Sequence, residues 1–503
     1  MKLRFVPWTV GALFVAAHLP WIAEPFLRHR EGVCAQYAVM ARNSARLGYA
    51  TTRFGLLETS SPDLSVYDDW RRYFYPNRPP ASVLVTSLWF RAFGDAEWVL
   101  RVSLLAASLG TLAAFHLLAR RILDAPASAV ASAAFAFTPM FWYFSAVAVH
   151  LVYALGFSLA AWACRVRWGD AGRYRWLTFV FLFLACQSDW PGYFAALSIA
   201  ADAILEGRRR LGGAVLGLAA GSFGLHLLHV LWIDPEDGPL VGRLLRAAVD
   251  RTVVDMPGPW TFLAGEAREL GLYFTAGGLA LAAAGALRLP RRAWLLGLLG
   301  LEEAVFLRWA HVHDYLTYML TPLFALLVAS GVRALGERPR RRAAAAALIA
   351  LGAAQSVWIT GDRLTRRGAY EVNYRAGVAI REVARPDQRV LVTVADLRQY
   401  TPYYADRYTA GVEPGEPLQL TVHPSGGGRP VSGPADLERF LDGFDWVLVG
   451  DPDAAAREIE FFRGRRPPES FWFLDASHPL RRRLESVARA REERGAFLLY
   501  RLR

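Results

Sequence analysis

Over the first 360 residues, long apolar blocks alternate with short arginine-rich stretches. The blocks are 8–23, 97–119, 126–163, 176–205, 211–233, 270–287, 293–309, 315–335 and 343–360. A helix needs about 20 mostly apolar residues to cross a bilayer core, so most blocks supply one span. Blocks 126–163 and 176–205 are long enough for two each. The pattern predicts an α-helical polytopic membrane protein with about eleven transmembrane helices. The last part of the chain behaves differently. Residues 361–503 hold no run of span length. They alternate predicted strands at 389–395, 444–450, 470–475 and 496–502 with helices at 375–384, 435–442, 453–462 and 480–490. That alternation predicts a small α/β domain. The expected division is a membrane domain, 1–360, followed by a soluble domain, 361–503.

The arginines set the orientation. Cytoplasmic loops collect Arg and Lys, whereas exported loops do not. With Lys2 and Arg4 inside, Arg120–Arg121, Arg165–Arg175, Arg208–Arg210, Arg288–Arg292 and Arg338–Arg342 all fall on the same side. The N-terminus is then cytoplasmic, and the segments 24–96, 234–265 and 361–503 are exported. The first block is read as a retained helix. If it were instead a cleaved signal peptide, nothing else would change sides.

Composition agrees with this picture. The chain is 54% hydrophobic, with a mean hydropathy of +0.21. A net charge of +12 raises the question of nucleic acid. The charge is confined to short clusters between apolar blocks, where it sets topology, and no nucleic-acid partner is implied. The three cysteines, at 34, 164 and 186, form no CxxC pair and no zinc spacing.

Candidate chemistry gathers in the exported segments. From Val33, apolar positions at helical spacing predict a helix lying in the membrane interface, with Tyr37 as its anchor and Gly48 as its stop. Gln36, Arg42, Asn43 and Arg46 mark its polar side. Glu31 stands at its N-terminal edge, where the helix dipole favours a carboxylate. Further on, Pro79–Pro80 leads an apolar helix over 81–93, Asp95–Glu97 opens the next span, and Arg101 lies one turn inside it. A buried membrane arginine calls for a partner or a polar cavity. Cys186–Tyr193 breaks an apolar hairpin and places Asp189 between two spans, which makes it a functional candidate. Its bland counterpart is a turn flanked by belt aromatics. The run His311-Val312-His313-Asp314-Tyr315 has three readings: contact with phosphate or sugar, surface polarity, or, ranked below both, a divalent-cation site built from His311, His313 and Asp314.

Taken in order, these motifs resemble the GT-C class of membrane glycosyltransferases, in particular the bacterial protein-mannosyltransferase-like branch that includes the aminoarabinose transferases of lipid A. The resemblance rests on Glu31, Tyr37-Ala38-Val39-Met40-Ala41-Arg42, Pro79-Pro80, Phe93-Gly94-Asp95-Ala96-Glu97-Trp98 and Arg101. It is specific over 1–125 and loose over 126–360. It implies transfer of a sugar from a polyprenyl-phosphate donor, outside the cytoplasmic membrane, to a lipid, glycan or protein acceptor. Where the family commonly has Asp-Glu, this chain has Arg30-Glu31, which leaves Glu31 as the candidate base and Asp189 as the second carboxylate. Arg30, Arg78, Arg101, His311, His313 and Tyr315 are the implied donor and phosphate contacts. Tyr37, His150 and Trp190 are further pocket residues. Arg78 stands where related enzymes often place His or Lys before the double proline. His150 stands where they often place an acid. The C-terminal domain has no GxGxxG after a strand, and GGGRP at 426–430 lacks the Lys and helix of a phosphate loop. It reads as a lid or acceptor-recognition module. Two other classes compete. A transporter or flippase would show internal repeats and midplane charges. A non-catalytic envelope scaffold would not need Glu31, Asp189 and Arg78 to converge.

Overall fold

The computed structural model describes residues 6–167, 171–234, 239–252, 257–336, 339–368, 370–393, 400–413, 418–421, 428–431, 438–439, 441–465, 467 and 473–503. The chain forms two compact units. Unit 1 is 1–23, 76–89 and 98–365, and unit 2 is 24–75, 90–97 and 366–503. The division therefore differs from a single boundary at 360. Local hydropathy marks where apolar blocks stop, but it carries no record of which polar segments pack together.

Unit 1 is helical. Its first helix is α1 (Val6–His18), and after unit 2 takes α2 (Gly32–Leu47), α3 (Ala81–Phe93) begins in unit 1. Then come α4 (Glu97–Ile122), α5 (Ala125–Phe137), α6 (Pro139–Phe144), α7 (Val149–Arg165), α8 (Arg173–Cys186), α9 (Pro191–Leu205) and α10 (Arg209–Ile233). The series continues with α11 (Pro239–Asp250), α12 (Pro259–Tyr273), α13 (Ala276–Gly285), α14 (Leu301–Val305), α15 (Leu307–Val312), α16 (Thr321–Leu335) and α17 (Pro339–Thr365).

Among the described residues, four helices are long and apolar enough to cross a membrane: Glu97–Ile122, Arg209–Ile233, Leu316–Leu335 and one that starts at Pro339. The other apolar helices have 10–17 residues. At 1.5 Å per residue these fall short of the roughly 30 Å hydrocarbon core. By single-helix length the described residues thus supply four spans where about eleven were expected, although the apolar blocks are all helical. Block 126–163 is cut at Thr138–Pro139 and again at 145–148. Block 176–205 is cut at 187–190, ahead of Pro191. Block 293–309 is a 3₁₀ stretch, Arg291–Gly300, followed by the short α14 and α15.

Helices α13 and α16 pack through glycines. A Cβ on Gly285 would come within 2.1 Å of the Leu327 carbonyl oxygen, and one on Gly331 within 1.9 Å of that of Leu281. Small residues let two backbones approach this closely, the usual device where apolar solvent gives helices no reason to associate. At the C-terminal ends of α7 and α9, Arg165 lies 2.9 Å from Asp202 and 2.5 Å from Glu206, and Arg292 lies 2.6 Å from Asp202. Arg165 and Asp202 are each 2% exposed, so this network locks one end of the helices.

Unit 2 carries a seven-stranded mixed sheet: β1 (Arg389–Val392), β2 (Tyr408–Glu413), β3 (Leu418–Thr421), β4 (Gly428–Val431), β5 (Trp446–Gly450), β6 (Ala490–Arg494) and β7 (Phe497–Arg501). The order is β4-β3-β2-β1-β5-β7-β6. The central strand β1 is parallel to β2 and β5, and every other pairing is antiparallel. Around it lie α18 (Tyr370–Val383), α19 (Tyr400–Ala405), α20 (Pro452–Glu458) and α21 (Pro479–Val487). Val372, Ala376 and Ile380 recur on one face of α18 and pack on Val390, Val392, Leu448 and Leu499. The small α/β fold is as expected for this stretch, with differences. Strands β2 to β4 are additional, and 488–490 leaves the helix for β6. Half of the expected strand 470–475 and half of the expected helix 435–442 lie outside the described residues, and Phe473 forms an isolated parallel bridge with Gly450.

Helix α2 starts and stops where expected, with Gly48 at φ 86° after its last residue. Its surroundings are not those of an interfacial helix. Tyr37, Arg42 and Asn43 are all under 5% exposed. Asn43 Nδ2 donates to the carbonyls of Leu57 at 2.9 Å and Thr59 at 2.8 Å. Asn43 and the terminal nitrogens of Arg42 bond within the protein, and Tyr37 is enclosed rather than presented as an anchor. The early segment also bonds to the last one. The Phe26 N–H donates to Tyr404 Oη at 2.7 Å, and Ser61 Oγ donates to the Pro386 carbonyl at 3.1 Å.

Candidate active site

The α8–α9 hairpin of unit 1 carries the best-defined polar cluster. Pro191 at the start of α9 forces the chain out of α8. Gly192 lets the two arms close, because a Cβ there would sit 2.2 Å from the Ala185 carbonyl carbon. The turn then grips the segment before α3. The Ala81 N–H donates to the Gln187 carbonyl at 2.9 Å, and Trp190 Nε1 donates to the Asn77 carbonyl at 2.9 Å. Between those bonds lie Pro79 and Pro80, which have no N–H to satisfy. Arg78 is held in place by this clamp.

Asp189 is 0% exposed. Its Oδ2 accepts a hydrogen bond from Arg78 at 2.5 Å and lies 3.8 Å from His150 Nε2. Its Oδ1 has no hydrogen-bond partner among the described residues. The ring of His150 meets that of Tyr315 edge-on at 5.8 Å, and Tyr315 meets His313 at 5.2 Å. The charges of Arg78, His313 and Arg251 act on His150. Next to this chain, Asp314 accepts a hydrogen bond from Tyr273 Oη, which also accepts one from Arg363 at 3.1 Å. His150 opens α7, whereas Arg165 of the opposite network closes it, a separation of about 22 Å along the helix. The two polar clusters therefore occupy opposite ends of the same helices.

The unit thus brings together Arg78, His150, Asp189, His313 and Tyr315, with Trp190 on the turn beside them. Arg101 is buried and donates to the Ile22 carbonyl at 3.2 Å. His311 turns away, packing on the ring of Phe262 at 6.0 Å. The HxHD run is split three ways: His311 to α12, His313 to Tyr315 and Asp314 to Tyr273. Among the described residues no group of three or more His, Cys, Asp or Glu side chains is placed to hold a metal ion, so the donor set of the cation reading does not assemble. The cause is geometric: His311 lies in the last turn of α15, whereas His313 and Asp314 lie in the turn beyond it.

Two site residues escaped the sequence reading. Glu302 is 3% exposed, its Oε2 has no hydrogen-bond partner among the described residues, and the charges of Asp189, Arg78 and Arg251 act on it. The signal was present, because an ionisable residue inside an apolar block is a functional candidate. Arg251, 5% exposed, comes from the 234–265 segment. Nothing in its neighbourhood distinguishes it from any loop arginine.

Glu31, Arg30 and Tyr37 belong to unit 2. Glu31 is the N-cap of α2 and is 3% exposed. Its Oε2 accepts from the N–H groups of Leu27 at 2.7 Å and Arg28 at 2.8 Å, and Oε1 lies 3.6 Å from Arg28 NH1. Arg30 sits at φ 61°, a left-handed conformation that costs a non-glycine residue about 1–3 kcal/mol and collects at functional sites.

No family model matches the chain, and no curated protein matches it by sequence. Solved structures do. The ArnT protein of Cupriavidus metallidurans, crystallised with undecaprenyl phosphate, aligns with a TM-score of 0.55 at 16% identity, over 89% of this chain and 94% of that one. The Archaeoglobus fulgidus oligosaccharyltransferase tethered to an acceptor peptide with the NVT sequon aligns with a TM-score of 0.58 at 12% identity, over 90% of this chain and 70% of that one. The AglB oligosaccharyltransferase of the same organism, in complex with an inhibitory peptide and a dolichol-phosphate, gives a TM-score of 0.54 at 12% identity over the same shares. The chain has the GT-C fold that these proteins share.

Proposed function

We propose that this membrane protein transfers a sugar from a polyprenyl-phosphate carrier to an acceptor hydroxyl on the outer face of the membrane. The observation that carries the reading is the buried Arg78–Asp189–His150 cluster at one end of apolar helices, in a fold whose solved examples include complexes with undecaprenyl phosphate and dolichol-phosphate. In the reaction, the acceptor oxygen bonds to the anomeric carbon. The bond from that carbon to the phosphate oxygen breaks, and its electron pair leaves with the polyprenyl phosphate. The acceptor proton passes to a carboxylate: the motif resemblance implies Glu31, and Asp189 is the rival. Arg78, with Arg251, His313 and Tyr315, meets the charge that develops on the leaving phosphate. Asp189 holds Arg78 in its fork, and Glu302 adds a second buried acid to the same cluster.

Two measurements test this reading. A deletion strain should lose a sugar from one envelope glycan by mass spectrometry, and the purified protein should bind undecaprenyl phosphate. An unchanged envelope together with no lipid-phosphate binding would sink the assignment. The orientation is tested separately by single cysteines in intact cells. A membrane-impermeant thiol reagent should label a cysteine placed at Asp453 and spare one placed at Arg209. The reverse pattern would put the site on the cytoplasmic face.

A further inference from the structure

Two of the motifs noted above take no part in that reaction: the Tyr37–Arg42 stretch and the Phe93–Trp98 stretch. Their charged residues meet in unit 2. Arg46 lies 2.7 Å from Asp95 and 2.8 Å from Asp406. Arg42 lies 3.3 Å from Asp406, donates to the Tyr403 carbonyl at 2.9 Å and stands over the Tyr403 ring at 5.2 Å. Tyr403 Oη donates to the Asp95 carbonyl at 2.8 Å. Gly94, at φ 87°, makes the turn that presents Asp95. Burial pushes the Asp406 carboxyl up, but Arg42 and Arg46 outweigh it and hold it below the usual carboxylate range.

Such a network used only as a tie would close on itself. This one borders a cavity of about 290 Å³, whose wall includes Arg42, Asp95, Glu97, Tyr374, Arg381 and Asp406. Among the described residues the Nε of Arg42 has no hydrogen-bond partner, and Asp95 is 4.0 Å from it, beyond bonding distance. A second cavity, of about 330 Å³, lies against the same helix α18 and shares Tyr374 and Val378 with the first. Tyr374 and Val378 are half-buried and Arg381 is exposed. The cavity of about 290 Å³ is a groove beside α18.

We infer that this groove is a saccharide subsite that takes a neutral, polyhydroxylated part of the acceptor. The charges argue for a neutral ligand. Arg42, Arg46 and Arg381 face Asp95, Glu97 and Asp406, so the wall has no net charge, and Arg42 and Arg46 are already committed to carboxylates. An anion would have to break those pairs. Hydroxyls instead join them, because carboxylates accept, guanidinium groups donate in a planar fork, and a sugar hydroxyl does both. Tyr374 offers an apolar ring with a polar tip to the less polar face of a pyranose. The groove needs the proposed reaction only for the word acceptor.

The test uses the full chain in a detergent without a sugar headgroup. Saturation-transfer NMR is recorded with maltotriose, triacetylchitotriose and glucose 6-phosphate. At least one neutral trisaccharide should receive saturation, and Tyr374→Ala with Arg381→Ala should weaken its binding at least tenfold. Both residues lie at the rim, and an unchanged melting temperature checks the fold. No transfer to either neutral sugar, equal binding by the double variant, or transfer to glucose 6-phosphate alone would each overturn the inference. Asp189→Asn separates the two readings. It should retain trisaccharide binding whatever happens to sugar transfer.

Discussion

Replacing Glu31 by Gln is expected to lower sugar transfer by at least about a hundredfold while leaving donor binding, expression and membrane insertion intact. Glu31 is buried at the N-cap of α2, beside an arginine in a left-handed conformation, and it is the acidic residue on which the proposed reading rests. A positioned base contributes roughly 10²–10⁴-fold, and the amide removes proton acceptance while keeping size. The amide oxygen can still accept from the Leu27 and Arg28 N–H groups, so the turn ahead of α2 survives. The loss should therefore appear in kcat and leave KM for the donor unchanged. Asp189→Asn is the comparison. If Asp189 orients Arg78, that variant raises KM for the donor as well. If Glu31→Gln transfers normally and Asp189→Asn is dead in kcat, the base is Asp189. If both remain active, no carboxylate mechanism of this kind operates.

The second large effect is on stability. Arg78→Ala leaves Asp189 fully buried, with its strongest countercharge gone. Removing one partner of a buried ion pair costs about 3–5 kcal/mol. The variant should melt well below wild type in detergent and should not bind polyprenyl phosphate. Those two losses are separable. Arg78→Met combined with Asp189→Leu removes both charges, and exchanging a buried pair for apolar residues is often neutral for stability. The double variant should recover most of the melting temperature and none of the lipid-phosphate binding. Wild-type stability for Arg78→Ala alone would mean that Asp189 does not depend on this arginine. Recovery of binding in the double variant would remove Arg78 from the donor site.

Much of the membrane unit was legible because apolar runs and intramembrane charges are local signals. The 187–190 break with its aspartate could be read directly, since Pro191 ends one helix and begins another. So could the double proline ahead of α3. Helix number was less legible. Hydropathy does not tell a full span from a shorter helix, and it passes over the break at Thr138, which falls just before Pro139. The HxHD run misled because adjacency in sequence is not adjacency in space. His311 and His313 reach different neighbours, Phe262 and Tyr315. Arg42 shows the same limit from the other side. Its helix has the composition of an interfacial helix, but its partner carbonyl at Tyr403 is 361 positions away. Strands β2 to β4 were missed because their sequences, YTAGVE, LQLT and GRPV, are short and lack the β-branched alternation that marks β1 and β5.

The interleaved make-up of unit 2 has a consequence for how the protein is made. Its first piece, 24–75, leaves the ribosome early, but the sheet it bonds to is encoded by the last piece, 366–503. The Phe26–Tyr404 bond closes over 378 positions. Contacts of such long range form late, after the loop-closure entropy has been met. During synthesis, Arg42 of α2 therefore waits for its partners Tyr403 and Asp406 while every intervening helix is inserted. That interval is when the chain is exposed to proteases and to misassembly. A C-terminal fragment beginning at 361 would lack the α2 layer altogether, so the soluble unit is not a module that can be cut out at the end of the last apolar block.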